Sequence, residues 1–328
     1  MSFSLTAYEK AEQQKRAQQN KAEFEAAEIY EEISARFPEI VKIDNEIKSA
    51  CAEISKLLLT ANADIDTVLE QIRQRVENAK QKRSRILMSA GLERDYLDVH
   101  YSCPKCYDKG LIGEKRCECF IKLIRKYSVE EINRSANLPN CDFEHFDISY
   151  YHGTDRASGI DISRHMNTLA ASCKKYAENF TLDSPNLYFY GGTGIGKTHL
   201  SLSIAKAVAL RGFIVAYASA CNIVRDIVAE TFNRGDTTKN TEDTLIHAEL
   251  LIIDDLGAEM KTNPNESAMY NLINSRMNLN LPTIVSSNLN KSELEDRYED
   301  RMISRILGNF DRKLFLGSDI RQMRKKKL

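Results

Sequence analysis

Residues Gly191-Gly192-Thr193-Gly194-Ile195-Gly196-Lys197-Thr198 spell the pattern G-x-x-x-x-G-K-[ST], and their flanks constrain the fold more than any other feature of the chain. Leu187-Tyr188-Phe189-Tyr190 before them reads as a buried strand, and 198–211 after them reads as a helix that Gly212 stops. Glycines let the backbone curl so that successive N–H groups face phosphate oxygens, and the following helix N-terminus adds its positive end. Lys197 is then placed to reach the β- and γ-phosphates and Thr198 to take one Mg²⁺ position, with His199 next on the first helical turn. A structural Gly-rich turn is the competing reading, and the strand before and helix after argue against it. The pattern predicts a protein that binds a nucleoside triphosphate.

From about residue 162 onward, strand and helix patterns alternate. Candidate strands are 187–190, 213–217, 250–253, 283–287 and 313–316, with Ile223, Val224, Ile227 and Val228 marking the apolar face of one intervening helix. That alternation predicts a parallel α/β sheet covered by helices on both faces. Leu250-Leu251-Ile252-Ile253 leads into Asp254-Asp255, so a buried strand delivers two carboxylates to the sheet edge beside the P-loop. Asp254 is placed to hold Mg²⁺, and Asp255 to orient or deprotonate the attacking water. An acidic pair at a strand end also serves as a simple helix cap; its place after a P-loop favours the first reading. Thr283-Ile284-Val285-Ser286-Ser287-Asn288 likewise brings an amide to a strand end, where it faces the γ-phosphate or the water. Arg301 and Arg305 lie four apart on a helical stretch, and Arg321 closes Gly317-Ser318-Asp319-Ile320-Arg321. Arginines here either neutralise transition-state charge from a neighbouring subunit, clamp nucleotide in cis, or form a solvated basic face.

Residues 1–98 have no glycine before Gly91 and are crowded with Ala, Glu, Gln, Lys and Ile, which predicts a mostly helical domain. Ile65, Val68, Leu69, Ile72 and Val76 form one apolar stripe; Ile40, Ile43, Ile47 and Ile54 form another. Those stripes suit either a small bundle or an arm that docks on a partner protein. Within the module and linker at 99–140, Cys103-Pro104-Lys105-Cys106 and Cys117-Glu118-Cys119 offer two pairs of thiolates to one tetrahedral ion. Structural Zn²⁺ is the leading reading, with redox thiols or an iron–sulfur centre as the others and His100 as a reserve ligand. Cys51, Cys141, Cys173 and Cys221 are scattered and read as small buried hydrophobes. Eight cysteines without a secretory signal argue against a disulfide framework and fit a reducing cytoplasm. No apolar run approaches the length of a membrane span. The 46 basic and 47 acidic residues balance, so any nucleic-acid surface must be local.

Taken together, the P-loop, the Ile-Ile-Asp-Asp and Ser-Asn strand ends, the Arg-x-x-x-Arg helix and the late Gly-x-Asp-x-Arg resemble an AAA+ ATPase over residues 140–328. The nearest subgroup is the replicative helicase loaders of the DnaC/DnaI type, with IstB-like ATPases as relatives. This resemblance implies an AAA+ P-loop NTPase domain over 141–328, its parallel sheet flanked by helices, preceded by the helical domain and a small zinc-binding module. It implies Lys197 and Thr198 as Walker A, Asp254 and Asp255 as Walker B, and Asn288 as sensor 1. Arg305 would be the trans-acting finger, with Arg301 as the alternative, and Arg321 would be sensor 2. Most AAA+ proteins have Glu where Asp255 stands, and the shorter acid suits slow hydrolysis or a nucleotide switch. Glu259 is expected on a loop beyond the site.

The function so implied is ATP-dependent loading of a hexameric replicative helicase onto single-stranded DNA, in bacteria or phage, by a protein that self-associates when ATP binds. Residues 1–98 would grip the helicase. Arg225, Phe232, Arg234 and the tail Arg324-Lys325-Lys326-Lys327 are the local candidates for contact with single-stranded DNA. ATP turnover would be slow and stimulated by DNA or partner. The alternative is an IstB-like ATPase that assists a transposase on duplex DNA. A small-molecule kinase is disfavoured by the two late arginine motifs, and Asp255 leaves open a binding protein with decayed hydrolysis.

Overall fold

The computed structural model describes residues 7–57, 65–136, 141–232 and 241–327. The chain divides into two compact units, one of Gln13–Cys117 and one of Met1–Glu12 with Glu118–Leu328. The first unit is mostly helical. Helix α1 (Ala7–Arg36) is followed by α2 (Pro38–Leu57), α3 (Ile65–Ser89) and a two-stranded antiparallel hairpin, β1 (Leu111–Ile112) with β2 (Lys115–Arg116). Pro38 opens α2 where a missing N–H costs nothing. The apolar stripes turn inward as α2 packs on α3: Ile40, Ile43 and Ile72 are buried, while Ile47, Ile54 and Val76 are half-buried. The side chain of Ile65 lies outside the described residues. Ile33, Ile40, Leu87 and Leu97 form the local core, and Arg83 joins Asp44 of α2 to Asp98 beyond α3. In the described part the two stripes thus cover one another where α2 packs on α3.

The second unit runs α4 (Glu118–Ala136), a 3-10 turn at Ile148–Tyr150, α5 (Ile162–Glu178), β3 (Asn186–Tyr190), α6 (Lys197–Leu210) and β4 (Val215–Ser219). It continues through α7 (Ala220–Phe232), α8 (Thr241–His247), β5 (Leu250–Leu256), α9 (Asn263–Asn278) and β6 (Thr283–Ser287). It ends with α10 (Lys291–Arg297), α11 (Asp300–Asn309), β7 (Phe310–Leu314) and α12 (Ile320–Lys327). The five strands are all parallel in the order β4-β5-β6-β3-β7. One face of the sheet packs against α5 and α6 through Leu169, Phe189, Ile204 and Ile252. The other packs against α7, α9 and α11 through Ile223, Leu251, Leu272 and Ile306. This is the parallel sheet covered by helices on both faces that the strand–helix alternation predicts. Because β6 lies between β3 and β5, an amide at its end stands between the P-loop and the two acids.

Two strands differ from their expected places. The strand expected at 213–217 begins at Val215, because Phe213 packs its ring on Phe180 (centroids 4.9 Å apart) and the Ile214 N–H goes to the Glu249 carboxylate. The one expected at 313–316 begins at Phe310. It is an edge strand whose Asp311 and Arg312 are exposed, and such charges mask the β pattern. Arg276 of α9, fully buried, donates to the carbonyls of Leu245, Ile246 and Ala248 at the end of α8 and to Pro282 just before β6. Burial lowers its guanidinium to about 9, and those carbonyls hold the cation in place of a carboxylate. Cys141 and Cys173 are buried as expected. Cys51 and Cys221 are instead exposed, on outward positions of α2 and α7.

Candidate nucleotide site

The loop between β3 and α6 is held open on both sides. Gly196 caps α6 with a φ of 94°, and a Cβ there would lie 2.4 Å from the Tyr151 hydroxyl. Gly194 has φ 72°, and a Cβ would meet Asp319 Oδ1 at 2.1 Å. Any side chain at either position would take on the strain of a left-handed backbone and push aside Tyr151 or Asp319. Tyr151 donates to Ile195 O at 3.1 Å, and the Ile320 N–H donates to Gly194 O at 3.0 Å.

The Lys197 ammonium, only 6% exposed as a residue, donates to Gly191 O (2.7 Å), Gly192 O (2.6 Å) and Asn288 Oδ1 (2.6 Å). Burial lowers it to about 8, against the pull of Asp255 and Asp254. Asn288 Nδ2 in turn donates to Asp255 Oδ1. Asp254 accepts three hydroxyls: Thr198 Oγ1 at 2.9 Å and Tyr217 at 2.7 Å on Oδ2, and Ser286 Oγ at 2.5 Å on Oδ1. Burial, and then the charge of Asp254, push the Asp255 carboxyl above its usual range. Burial beside Asp254 raises Tyr217 far enough to keep it a hydrogen-bond donor. A carboxylate held by three hydroxyls beside a P-loop is a donor set suited to Mg²⁺.

These groups line a cleft of about 800 Å³ that Arg321 also borders. Its other wall is aromatic. Phe146 stacks on Tyr151 (5.3 Å) and meets the His199 ring edge-on at 5.4 Å. His199 Nε2 lies 2.7 Å from Asp142 O, a carbonyl that can only accept, so this nitrogen carries the proton. Thus Lys197, Thr198, His199, Asp254, Asp255, Asn288 and Arg321 come together. Arg301 and Arg305 do not line the cleft: both guanidinium groups sit over the Tyr270 ring, at 5.2 and 5.5 Å, and Arg301 also pairs with Glu299. Glu259 is buried away from the chemistry, where it accepts the Gly257 N–H and the Tyr298 hydroxyl and pairs with Arg297. Tyr217, Ser286 and the aromatic wall are site residues that motif reading missed.

The sulfurs of Cys103, Cys106, Cys117 and Cys119 lie within 4.8 Å of one another, with Cys103 and Cys117 at 3.8 Å. A tetrahedron with metal–sulfur bonds near 2.3 Å has edges of about 3.8 Å, so four thiolates fit Zn²⁺ with no open position. His100 is exposed and outside this group. Beneath the cluster, Asp108 takes the N–H groups of Ser102 and Cys103 and the Lys15 ammonium at 2.9 Å. Burial raises its carboxyl, but Lys15 and the N–H groups outweigh that and hold it below the usual range.

Of the nucleic-acid candidates, Arg225 is exposed on α7 and bonded to Asp226. The side chain of Phe232, residues 233–240 with Arg234, and the side chains of Arg324 to Lys327 lie outside the described residues. Among the described residues no helix is long and apolar enough to cross a membrane.

A sequence model of the family described as IstB-like ATP binding protein matches residues 122–316. The replicative helicase loader DnaC of Escherichia coli (strain K12) is 26% identical over 182 residues, which span 54% of this chain and 69% of that protein. Two solved structures are similar. The crystal structure of a DnaC helicase loader (21% identity, TM-score 0.43) aligns over 53% of this chain and 98% of its own. The crystal structure of a DNA replication initiation factor (22%, TM-score 0.45) aligns over 58% of this chain, which spans only about half of that one, 55%.

Proposed function

The chain belongs to the IstB-like ATP binding protein family, and from that premise we propose that it is an ATPase that loads the replicative helicase onto single-stranded DNA. The observation that carries the ATPase half is the continuous set of bonds from Lys197 through Asn288 to Asp255, beside Asp254 and Thr198, in one cleft. The loop N–H groups take the phosphates of ATP, and the Lys197 ammonium exchanges its loop carbonyls for phosphate oxygens. Thr198 and Asp254 would hold Mg²⁺, which would offset charge on the phosphates. Asp255, its carboxyl raised, orients the attacking water and takes its proton, while Asn288 fixes that carboxylate. The aromatic wall of Phe146 and Tyr151 excludes water. Arg321 neutralises phosphate charge in cis. Arg305 reaches a neighbouring copy in the ATP-bound assembly; it is the better finger because Arg301 is already paired with Glu299.

The loader half is supported by the likeness to a replicative helicase loader. In this reading residues 1–98 bind the helicase, 99–140 carry Zn²⁺ and steady the junction, and 141–328 switch with ATP and single-stranded DNA. The test is co-purification with the host's replicative helicase, with ATP turnover measured in parallel. The account expects a stable complex through residues 1–98 and turnover that single-stranded DNA or the helicase raises. No complex, with ATP-dependent filaments on duplex DNA instead, would move the protein to the transposition-helper role.

A further inference from the structure

A regular strand turns successive side chains to opposite faces. On an unbroken β5, Asp254 and Asp255 would therefore point apart, yet both line the nucleotide cleft. The ladder explains this. Ile253 pairs with Val285 but Leu256 with Ser287, so β5 carries one residue more than β6 across the step. Asp255 absorbs it with a φ of 60°, a left-handed conformation that aspartate tolerates better than most side chains. A bulge of this kind re-aims a side chain and deprives nearby backbone groups of ladder partners.

Three consecutive side chains of β6 and its end supply the missing bonds. Ser286 Oγ accepts the Asp255 N–H at 2.9 Å while donating to Asp254. Ser287 Oγ, on the opposite face, donates to Leu256 O at 2.7 Å. Asn288 fixes the Asp255 carboxylate and links it to Lys197. Both serines are essentially inaccessible to solvent. Hydroxyls this deep must be matched, and here they are matched to the two ends of the bulge.

We propose that Ser286 and Ser287 are positioning residues that hold a bulge at Asp255, and that the bulge turns a short acid toward the attacking water. The proposal rests on the reading of Asp255 as the water-facing acid. It has a consequence that chemical similarity alone opposes. The carboxylate at 255 already touches Asn288, so one more methylene drives it past its place. Asp255→Glu, which restores the residue most AAA+ proteins carry, should therefore slow this protein.

The experiment compares the full chain with Asp255→Glu, Ser286→Ala and the double variant. Three readouts are Mg²⁺-ATP turnover, binding of a fluorescent ATP analogue across a Mg²⁺ titration, and thermal midpoint. The expected result for each single variant is analogue affinity within about 3-fold of the parent at saturating Mg²⁺, with turnover lower by roughly 10- to 100-fold. Ser286→Ala should also need more Mg²⁺ for half-saturation, because Asp254 loses a donor. In the double variant the losses should not multiply, since Asp and Glu become equivalent once the bulge is no longer held. Turnover of Asp255→Glu at or above the parent overturns the proposal, as does strict multiplication of the two losses. If Ser286→Ala does not fold, Asp255→Glu alone still decides. Failure of the parent to bind the analogue would instead defeat the nucleotide reading itself.

Discussion

The cysteine cluster and the nucleotide cleft both hold charged groups still, and they do so by opposite means. Four sulfurs from residues 103–119 converge within 4.8 Å, and Lys15, distant in sequence, pairs with Asp108 close to them. The cleft draws on residues from Cys141 to Arg321 and fixes each acid by hydrogen bonds across three strands. A local cage of thiolates would depend on an ion held between them; a distributed cage depends on the sheet. Removing one piece should collapse the fold of the first, but in the second it should cost chemistry while the fold stands.

The strongest way to break that contrast is to remove the metal. Chelation, or Cys106→Ser with Cys117→Ser, should unfold the hairpin and its surroundings, since structural zinc contributes on the order of 10 kcal/mol to small modules. Circular dichroism and proteolysis would show the loss, with ATP-analogue binding retained. Next comes Lys197→Ala, for which turnover should fall by roughly 10³-fold as the phosphate contact goes, with little change in thermal midpoint. Direct turnover assays check this. Asp108→Ala leaves the Lys15 ammonium buried without its carboxylate and should cost about 3–5 kcal/mol in denaturant unfolding. The folded-state pKa of Asp108 is depressed, so its contribution is present at neutral pH and lost as pH falls through that value. The smallest effect has the opposite sign. The Asp255 carboxyl is raised, so its ionised form costs stability at neutral pH, a cost relieved as pH falls through the raised value. Asp255→Asn should raise the thermal midpoint by roughly 1–3 °C while abolishing turnover, and turnover of the parent should decline toward acid above the ordinary carboxylate range.

The same contrast explains what was legible. Cys103 to Cys119 lie close in sequence, so their spacing alone reveals the cluster. The P-loop, Asp254 and Asn288 are legible because each ends an apolar strand, a local signal. Tyr217 and Ser286 are not, since nothing near them marks that β4 and β6 flank the acid strand; only the sheet order brings their hydroxyls to Asp254. The bulge at Asp255 is equally hidden, because Ile-Ile-Asp-Asp-Leu reads as unbroken strand. The start of edge strand β7 is hidden too, because the exposed Asp311 and Arg312 mask its period.

In the proposed function, ATP in this cleft drives a helicase onto DNA. Its most direct test is loading of the host's replicative helicase onto circular single-stranded DNA, which offers a closed ring no end to thread. With the intact protein and ATP, helicase should be retained on the circles, and with Lys197→Ala retention should fall to the level without loader. Equal retention with and without ATP, or no effect of the protein at all, would contradict it.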